Sequence, residues 1–136
     1  MKELRLEASL ENVVKVQEFV NSVLRDYELS AKTEYEINIV VEEIFANIAQ
    51  YAYAPGRGEV IVECEVEFEK TPIVSICFMD WGKVFNPLGK KGVDVTLSAE
   101  ERQIGGLGIF MVKKMMDEVS YRYEEHKNIF TVRKNI

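Results

Sequence analysis

The run Glu42-Glu43-Ile44-Phe45-Ala46-Asn47-Ile48-Ala49, "EEIFANIA", decides how this chain is read. At about 100° per residue, Ile37, Val41, Ile44 and Ile48 form the core stripe of an amphipathic helix. Glu43 and Asn47 are four residues apart and lie about 40° from each other on the edge of that stripe. Glu42 points away, towards solvent. A carboxylate at the border of an apolar stripe must be hydrated, paired or bound to something, because bare burial is costly. In isolation the pair is an ordinary i,i+4 polar contact. A carboxylate beside a carboxamide oxygen is also suited to Mg²⁺, a hard cation that takes oxygen ligands and keeps waters.

Outward from this helix the elements follow one another closely. Residues 2–8 alternate polar and apolar as a strand. Ser9 is the expected cap of an amphipathic helix carrying Leu10, Val13, Val14, Val16, Val20, Val23 and Leu24, to about residue 27. Ser30 or Thr33 caps the long second helix, which runs to the Pro/Gly turn "APGRGE". "EVIVECEVEFE" alternates strictly and "TPIVSICFMD" is more continuously apolar, so the two make a hairpin of half-buried and buried strands. Residues 82–104 have no sustained period and are expected to form a long loop, of a length that is usually functional or mobile. "GGLGIFMVKKMMDE" opens a third helix with Ile109, Met111, Val112, Met115 and Met116 on its buried side. "VSYRYEE" and "NIFTVRK" close the chain as a hairpin. The order βααββαββ implies one domain over residues 1–136, an α/β two-layer sandwich. Its sheet is expected to be mixed and mostly antiparallel, with helices packed on one face.

Composition narrows the function. Hydrophobic residues make up 47% and charged residues 29% of the chain, the balance of a globular domain. No apolar run reaches the roughly 18 residues that span a bilayer, and the charged N-terminus lacks a signal-peptide core. A cytoplasmic location without membrane contact is expected. The net charge of −6 argues against direct nucleic-acid binding, which needs a basic face, but permits a nucleotide. One histidine (His126, in the turn "YEEHKN") and two cysteines, Cys64 and Cys77, are too few for a Cys/His zinc site. Both cysteines read as small buried hydrophobes.

Two further stretches carry chemistry. "SICFMDWG" ends a buried strand in Asp80, a residue able to accept a hydrogen bond from a ligand's exocyclic amine. Gly82 then lets a flat ring approach the backbone. Asp80 in isolation is equally a turn initiator. "RQIGGLGIF" places Gly105, Gly106 and Gly108 at a helix start, where free amides and the helix dipole favour phosphate. Lys83, Lys90, Lys91 and Arg102 lie in the same loop as candidate phosphate cations.

Taken in order, "EEIFANIAQYAY", "DWGKVFNP" and "GGLGIFMVKKMMDEVSY" resemble the three nucleotide-binding boxes of the Bergerat (histidine-kinase-like) ATPase superfamily. The details are most similar to its anti-sigma-factor serine kinases, the RsbW and SpoIIAB type, and the resemblance runs from about residue 6 to residue 134. It implies ATP and Mg²⁺ as cofactors, with Asn47 holding the metal and Glu43 as general base. Asp80 would read the adenine amino group, helped through a water by Thr131 on the last strand. Gly82 would line the base pocket, and Gly105, Gly106, Leu107 and Gly108 would wrap the phosphates under a lid formed by 82–104. Tyr51 stands where many relatives carry His, and Val84 where broader superfamily members carry a second glycine. The implied activity is phosphorylation of a small antagonist protein on Ser or Thr by a protein that also binds a sigma factor, and a homodimer is compatible with it. Two alternatives follow from the same boxes: a nucleotide-binding module that acts by contact alone, and an ATPase piece of a histidine kinase. The second is disfavoured because no phospho-accepting His helix precedes the domain.

Overall fold

The computed structural model describes residues 1–89 and 107–136. Its strands are β1 (Lys2–Glu7), β2 (Glu59–Phe68), β3 (Pro72–Asp80), β4 (Glu118–Glu124) and β5 (Lys127–Asn135), and its helices are α1 (Val13–Leu24), α2 (Ala31–Asn47) and α3 (Leu107–Met115). The strands form one sheet in the order β1-β2-β3-β5-β4. The two-layer sandwich is as expected. Every pairing is antiparallel, however, and the described residues contain none of the parallel pairs a mixed sheet would include. The reason lies in the connections: two hairpins supply β2–β3 and β4–β5, and α3 returns the chain so that β5 lies antiparallel to β3.

The core lies between one face of the sheet and the helices. Val60, Val62 and Cys64 of β2, Val74, Ile76 and Phe78 of β3, and Phe130 and Val132 of β5 are buried there at period-two spacing. They meet Val16, Val20 and Leu24 of α1 and Ile37, Val40, Val41, Ile44 and Phe45 of α2. Glu63 and Glu65, at the alternate positions of β2, fall on the face that carries no helix. Cys64 is buried as anticipated, and burial pushes its thiol up to about 12, which keeps it protonated and inert. Cys77 is only partly buried and also raised.

Ser30 caps α2: its hydroxyl accepts from the Thr33 backbone N–H at 3.1 Å. Ser9 does not cap α1. The chain first makes a 3₁₀ turn over Leu10–Asn12, the Ser9 hydroxyl is buried with no partner among the described residues, and the Asn12 amide ties back to the Glu7 carbonyl at 2.9 Å. At its far end α2 widens into a π turn, Ile48–Ala52, where the Ile48 N–H is shared between the Ile44 and Phe45 carbonyls. The β4–β5 turn is two residues, Glu125 and His126, both at positive φ (53° and 64°), the geometry a tight antiparallel hairpin demands. His126 is thus a turn residue.

Phe45 has no exposed surface, whereas Val14 on α1 is 58% exposed. Phe45→Ala is expected to lower unfolding free energy by about 3–5 kcal/mol. Val14→Ala should change it by less than about 0.5 kcal/mol. Urea denaturation of the two variants checks the assignment of the core face, and equal losses would contradict it.

Candidate functional site

The site begins with the edge of α2. Glu42 is exposed, while Glu43 and Asn47 are half-buried and lie on one face. α3 crosses against this edge at its first turn. A Cβ on Gly108 would stand 2.5 Å from the Glu43 carboxylate and 3.7 Å from the Asn47 amide nitrogen. Glycine is what lets α3 approach so closely. Burial, aided by the neighbouring charge of Glu42, raises the carboxyl of Glu43 above its ordinary range. Among the described residues neither Glu43 nor Asn47 makes a side-chain hydrogen bond or an ion pair.

The second component is the end of β3. Asp80 is only 4% exposed. Its Oδ1 accepts from the Gly82 backbone N–H at 2.9 Å and from the Asn128 amide at 3.0 Å. Burial raises its carboxyl, and those two donors pull in the opposite direction. The described residues give Oδ2 no hydrogen bond. The loop beyond is fastened amide by amide. Trp81 N–H donates to the Tyr53 hydroxyl at 2.8 Å, and that hydroxyl donates to the Glu59 carbonyl at 2.6 Å. Lys83 N–H donates to the Ala52 carbonyl at 2.9 Å. Phe85 N–H donates to Asn128 Oδ1 at 3.2 Å. Gly82 packs so tightly on the π turn that an added Cβ would strike the Ala52 carbonyl and come within 2.7 Å of the Ala52 side chain.

Between α2, α3 and the sheet lies a cavity of about 360 Å³. Ile44, Ile48, Ile109 and Phe130 form apolar lining, with Ala52, Val84, Phe85 and Pro87 beside them. Polar groups enter from Asn47, Asp80, Tyr121, Asn128, Tyr51 and Lys83. An apolar slot with a few convergent polar groups suits a flat heterocycle carrying one or two hydrogen-bonding edges. Tyr51, which is 37% exposed, contributes an aromatic wall at the end of α2.

The structure thus brings Glu43, Asn47 and Gly108 together at one end and Asp80 with Gly82 at the other. Thr131 is a correction. It pairs with Cys77, not Asp80, and lies at the alternate parity of β5, on the helix-free face where it hydrogen-bonds the Cys77 thiol. The residue across from Asp80 is Asn128, which sequence reasoning missed. Its signal was an amide at the parity shared with buried Phe130 and Val132. Gly105 and Gly106, together with Lys90, Lys91 and Arg102, lie outside the described residues. Leu107 opens α3. The expected lid over 82–104 is described only to residue 89, with a 3₁₀ turn at Pro87–Gly89.

Among the described residues no group of three or more His, Cys, Asp or Glu could hold a metal ion. The Asn47 carboxamide, with no partner among the described residues and at the cavity wall, is an oxygen donor that would suit a hard cation such as Mg²⁺.

The sequence profile of the histidine kinase-like ATPase domain matches residues 6–134. Among curated relatives, the serine-protein kinases RsbW of Listeria monocytogenes and Listeria innocua are each 30% identical over 95 residues. Those matches cover 66% of this chain and 59% of each relative, so the chain spans less than two thirds of their length. A histidine kinase domain from the blue-light-activated histidine kinase of Erythrobacter litoralis superposes with a TM-score of 0.53 at 14% identity, over 93% of this chain and 60% of that one. At that identity the likeness is one of fold.

The two glycine contacts differ in kind. At Gly82 the obstacle is backbone, so Gly82→Ala should cost about 1–3 kcal/mol of stability. At Gly108 the obstacle is the far end of a side chain, so Gly108→Ala should cost less and instead displace the Glu43 carboxylate. Thermal melts of both variants check this, and a Gly82→Ala variant as stable as the parent would contradict the packing described.

Proposed function

We propose a function on one premise: the chain belongs to the histidine kinase-like ATPase family. It binds ATP with Mg²⁺ in the cavity beneath α3 and transfers the γ-phosphoryl group to a serine or threonine of a small protein. The observation that carries this is the convergence of Asp80, Asn47 and Ile109, from three separate elements, around one apolar cavity, with Gly108 of α3 set against Glu43 and Asn47 beside it. Kinase activity is supported by the curated relatives, which are serine-protein kinases. The further roles, binding of a sigma factor and phosphorylation of its antagonist in the cytoplasm, are carried by the resemblance of the three boxes. No helix among the described residues is long and apolar enough to cross a membrane.

Each residue then has a task. Asp80 Oδ2 accepts from the exocyclic amine of adenine, and the backbone beside Gly82 holds the ring edge. Ile48, Ile109 and Phe130 exclude water from the ring faces. Asn47 would hold the cation through its carboxamide oxygen, and the cation would supply charge neutralisation for the phosphates. Glu43 takes the proton from the incoming hydroxyl onto its carboxylate. The face it shares with Asn47 puts that carboxylate beside the first turn of α3, where Gly105, Gly106, Leu107 and Gly108 are proposed to surround the phosphates.

Glu43→Ala should leave ATP affinity within a few-fold and reduce phosphoryl transfer by about 10²–10⁴-fold. Asn47→Ala should weaken Mg²⁺-dependent binding and transfer together, and Glu42→Ala should leave transfer within a few-fold of the parent. Transfer of radiolabel from ATP to a co-purified partner measures all three. A dead Glu42→Ala beside an active Glu43→Ala would reverse the assignment. A parent that binds ATP but labels no partner would favour the contact-only module.

Transfer should also have an acid limb set by Glu43. Because burial and Glu42 raise that carboxyl, the limb should lie above the usual glutamate range. Glu42→Gln removes the neighbouring negative charge, so the limb should move to lower pH. A pH–rate profile unmoved by that substitution would count against Glu43 as the base.

A further inference from the structure

Asn128 stands out among the polar groups near the cavity because its side chain is 6% exposed and fully satisfied. Its amide N–H groups donate to Asp80 Oδ1 at 3.0 Å and to the Lys83 carbonyl at 2.9 Å, with the Gly82 carbonyl also within reach at 3.5 Å. Its Oδ1 accepts from the Phe85 backbone N–H at 3.2 Å and from the Tyr121 hydroxyl at 2.6 Å. One side chain thus joins the end of β3, the loop Lys83–Phe85 and strand β4. A planar carboxamide with two donors and an acceptor is suited to this arrangement. A hydroxyl in its place has one donor, and a carboxylate has none.

We propose that Asn128 is the positioning residue for base recognition, setting the rotamer of Asp80 and clamping the Lys83–Phe85 wall against the same ligand. This rests on the proposed adenine-nucleotide site. With Gly82 and Asn128 both directed at Oδ1, the carboxylate plane is held and Oδ2 is left for the cavity. Without the Asn128 donor, one backbone N–H remains to hold the carboxylate, which is then free to turn about its Cβ–Cγ bond. The Lys83 carbonyl loses its Asn128 donor in the same step and the Phe85 N–H is left with its Tyr121 hydroxyl contact, so the wall formed by Val84 and Phe85 loosens. Selectivity for an amine-bearing base over a carbonyl-bearing one therefore depends on a residue that need not touch the base.

The same contact has an electrostatic consequence. Burial favours the protonated form of Asp80, and the Asn128 and Gly82 donors oppose it. Tyr53, from the turn before β2, and Tyr121, on β4, interact electrostatically with Asp80, while Tyr51 and Lys83 also line the cavity. A protonated Asp80 carries a hydrogen where the exocyclic amine should donate. Nucleotide binding should therefore fall as pH is lowered, and fall at a higher pH once Asn128 is removed.

Calorimetric titration of the full chain with ADP and with GDP, across pH, tests this. In Asn128→Ala, ADP binding should weaken about tenfold or more, the ADP-over-GDP preference should shrink, and the acid fall-off should move to higher pH. Asn128→Ser retains one donor for Asp80 but cannot also hold Lys83 and Phe85. It should keep the fall-off near that of the parent while losing about threefold or more in affinity. A purely structural role would lower affinity equally for both nucleotides and at every pH, so unchanged preference and fall-off in Asn128→Ala overturn the proposal. If Asn128→Ala does not fold, Asn128→Ser decides, and parent-like affinity in it overturns the proposal. A parent chain that binds neither ADP nor GDP instead overturns the nucleotide reading on which the proposal stands.

Discussion

A carboxylate buried at the end of a central strand is the constraint around which the site is arranged. Removing an ionised carboxylate from water costs several kcal/mol unless donors replace the lost hydration. Asp80 receives two such donors, from Gly82 and Asn128, and both reach the same oxygen. Gly82 must then sit against Ala52, which brings the end of α2 to the end of β3. Asn128 must face Asp80 across the β3–β5 pairing. The cavity between α2 and the sheet follows from these two demands, and so does the rigidity of its polar end.

At the other end the arrangement is deliberately less satisfied. Glu43 and Asn47 have no side-chain partner among the described residues, although both are half-buried. Buried polar groups are normally hydrogen-bonded, and a carboxylate and a carboxamide one turn apart beside a helix start are the groups that the proposed phosphate and metal site would use. Around the sheet edge, by contrast, charged side chains are paired. Arg133, partly buried, bonds Glu67, Glu69 and Glu118 at 2.6–3.3 Å, and these pairs pin β5 to β4 and to the β2–β3 turn. Lys134 donates to the Met115 carbonyl at 2.6 Å and so caps the end of α3. This contrast separates the part of the molecule that is structural from the part available for chemistry.

Much of this was legible from residue order, and the limits have a physical cause. β2 was readable because its alternation is strict over ten residues, and α2 because its apolar stripe distinguishes Glu43 from Glu42 by angle alone. The β4–β5 hairpin was readable from its short turn. Long-range register was not. Nothing local tells which residue of β5 faces Asp80, 48 residues earlier in the chain, so the resemblance pointed to Thr131 whereas Asn128 stands across from Asp80. The same gap made the sheet seem mixed, since strand direction across α3 is settled by packing. Ser9 failed as a cap because a 3₁₀ turn intervenes before α1, a choice of backbone that a capping residue does not determine by itself.

The claim on which the functional account rests is that the Asp80 carboxylate reads an adenine amine. Isothermal titration of the parent chain and of Asp80→Asn with ATP and GTP in the presence of Mg²⁺ tests it most directly. The account predicts saturable ATP binding by the parent and poor GTP binding, because the guanine carbonyl would set an acceptor against an acceptor. It predicts a large loss of ATP affinity in Asp80→Asn. Absence of ATP binding by the parent at millimolar ligand, or equal ATP affinity in parent and variant, would contradict it.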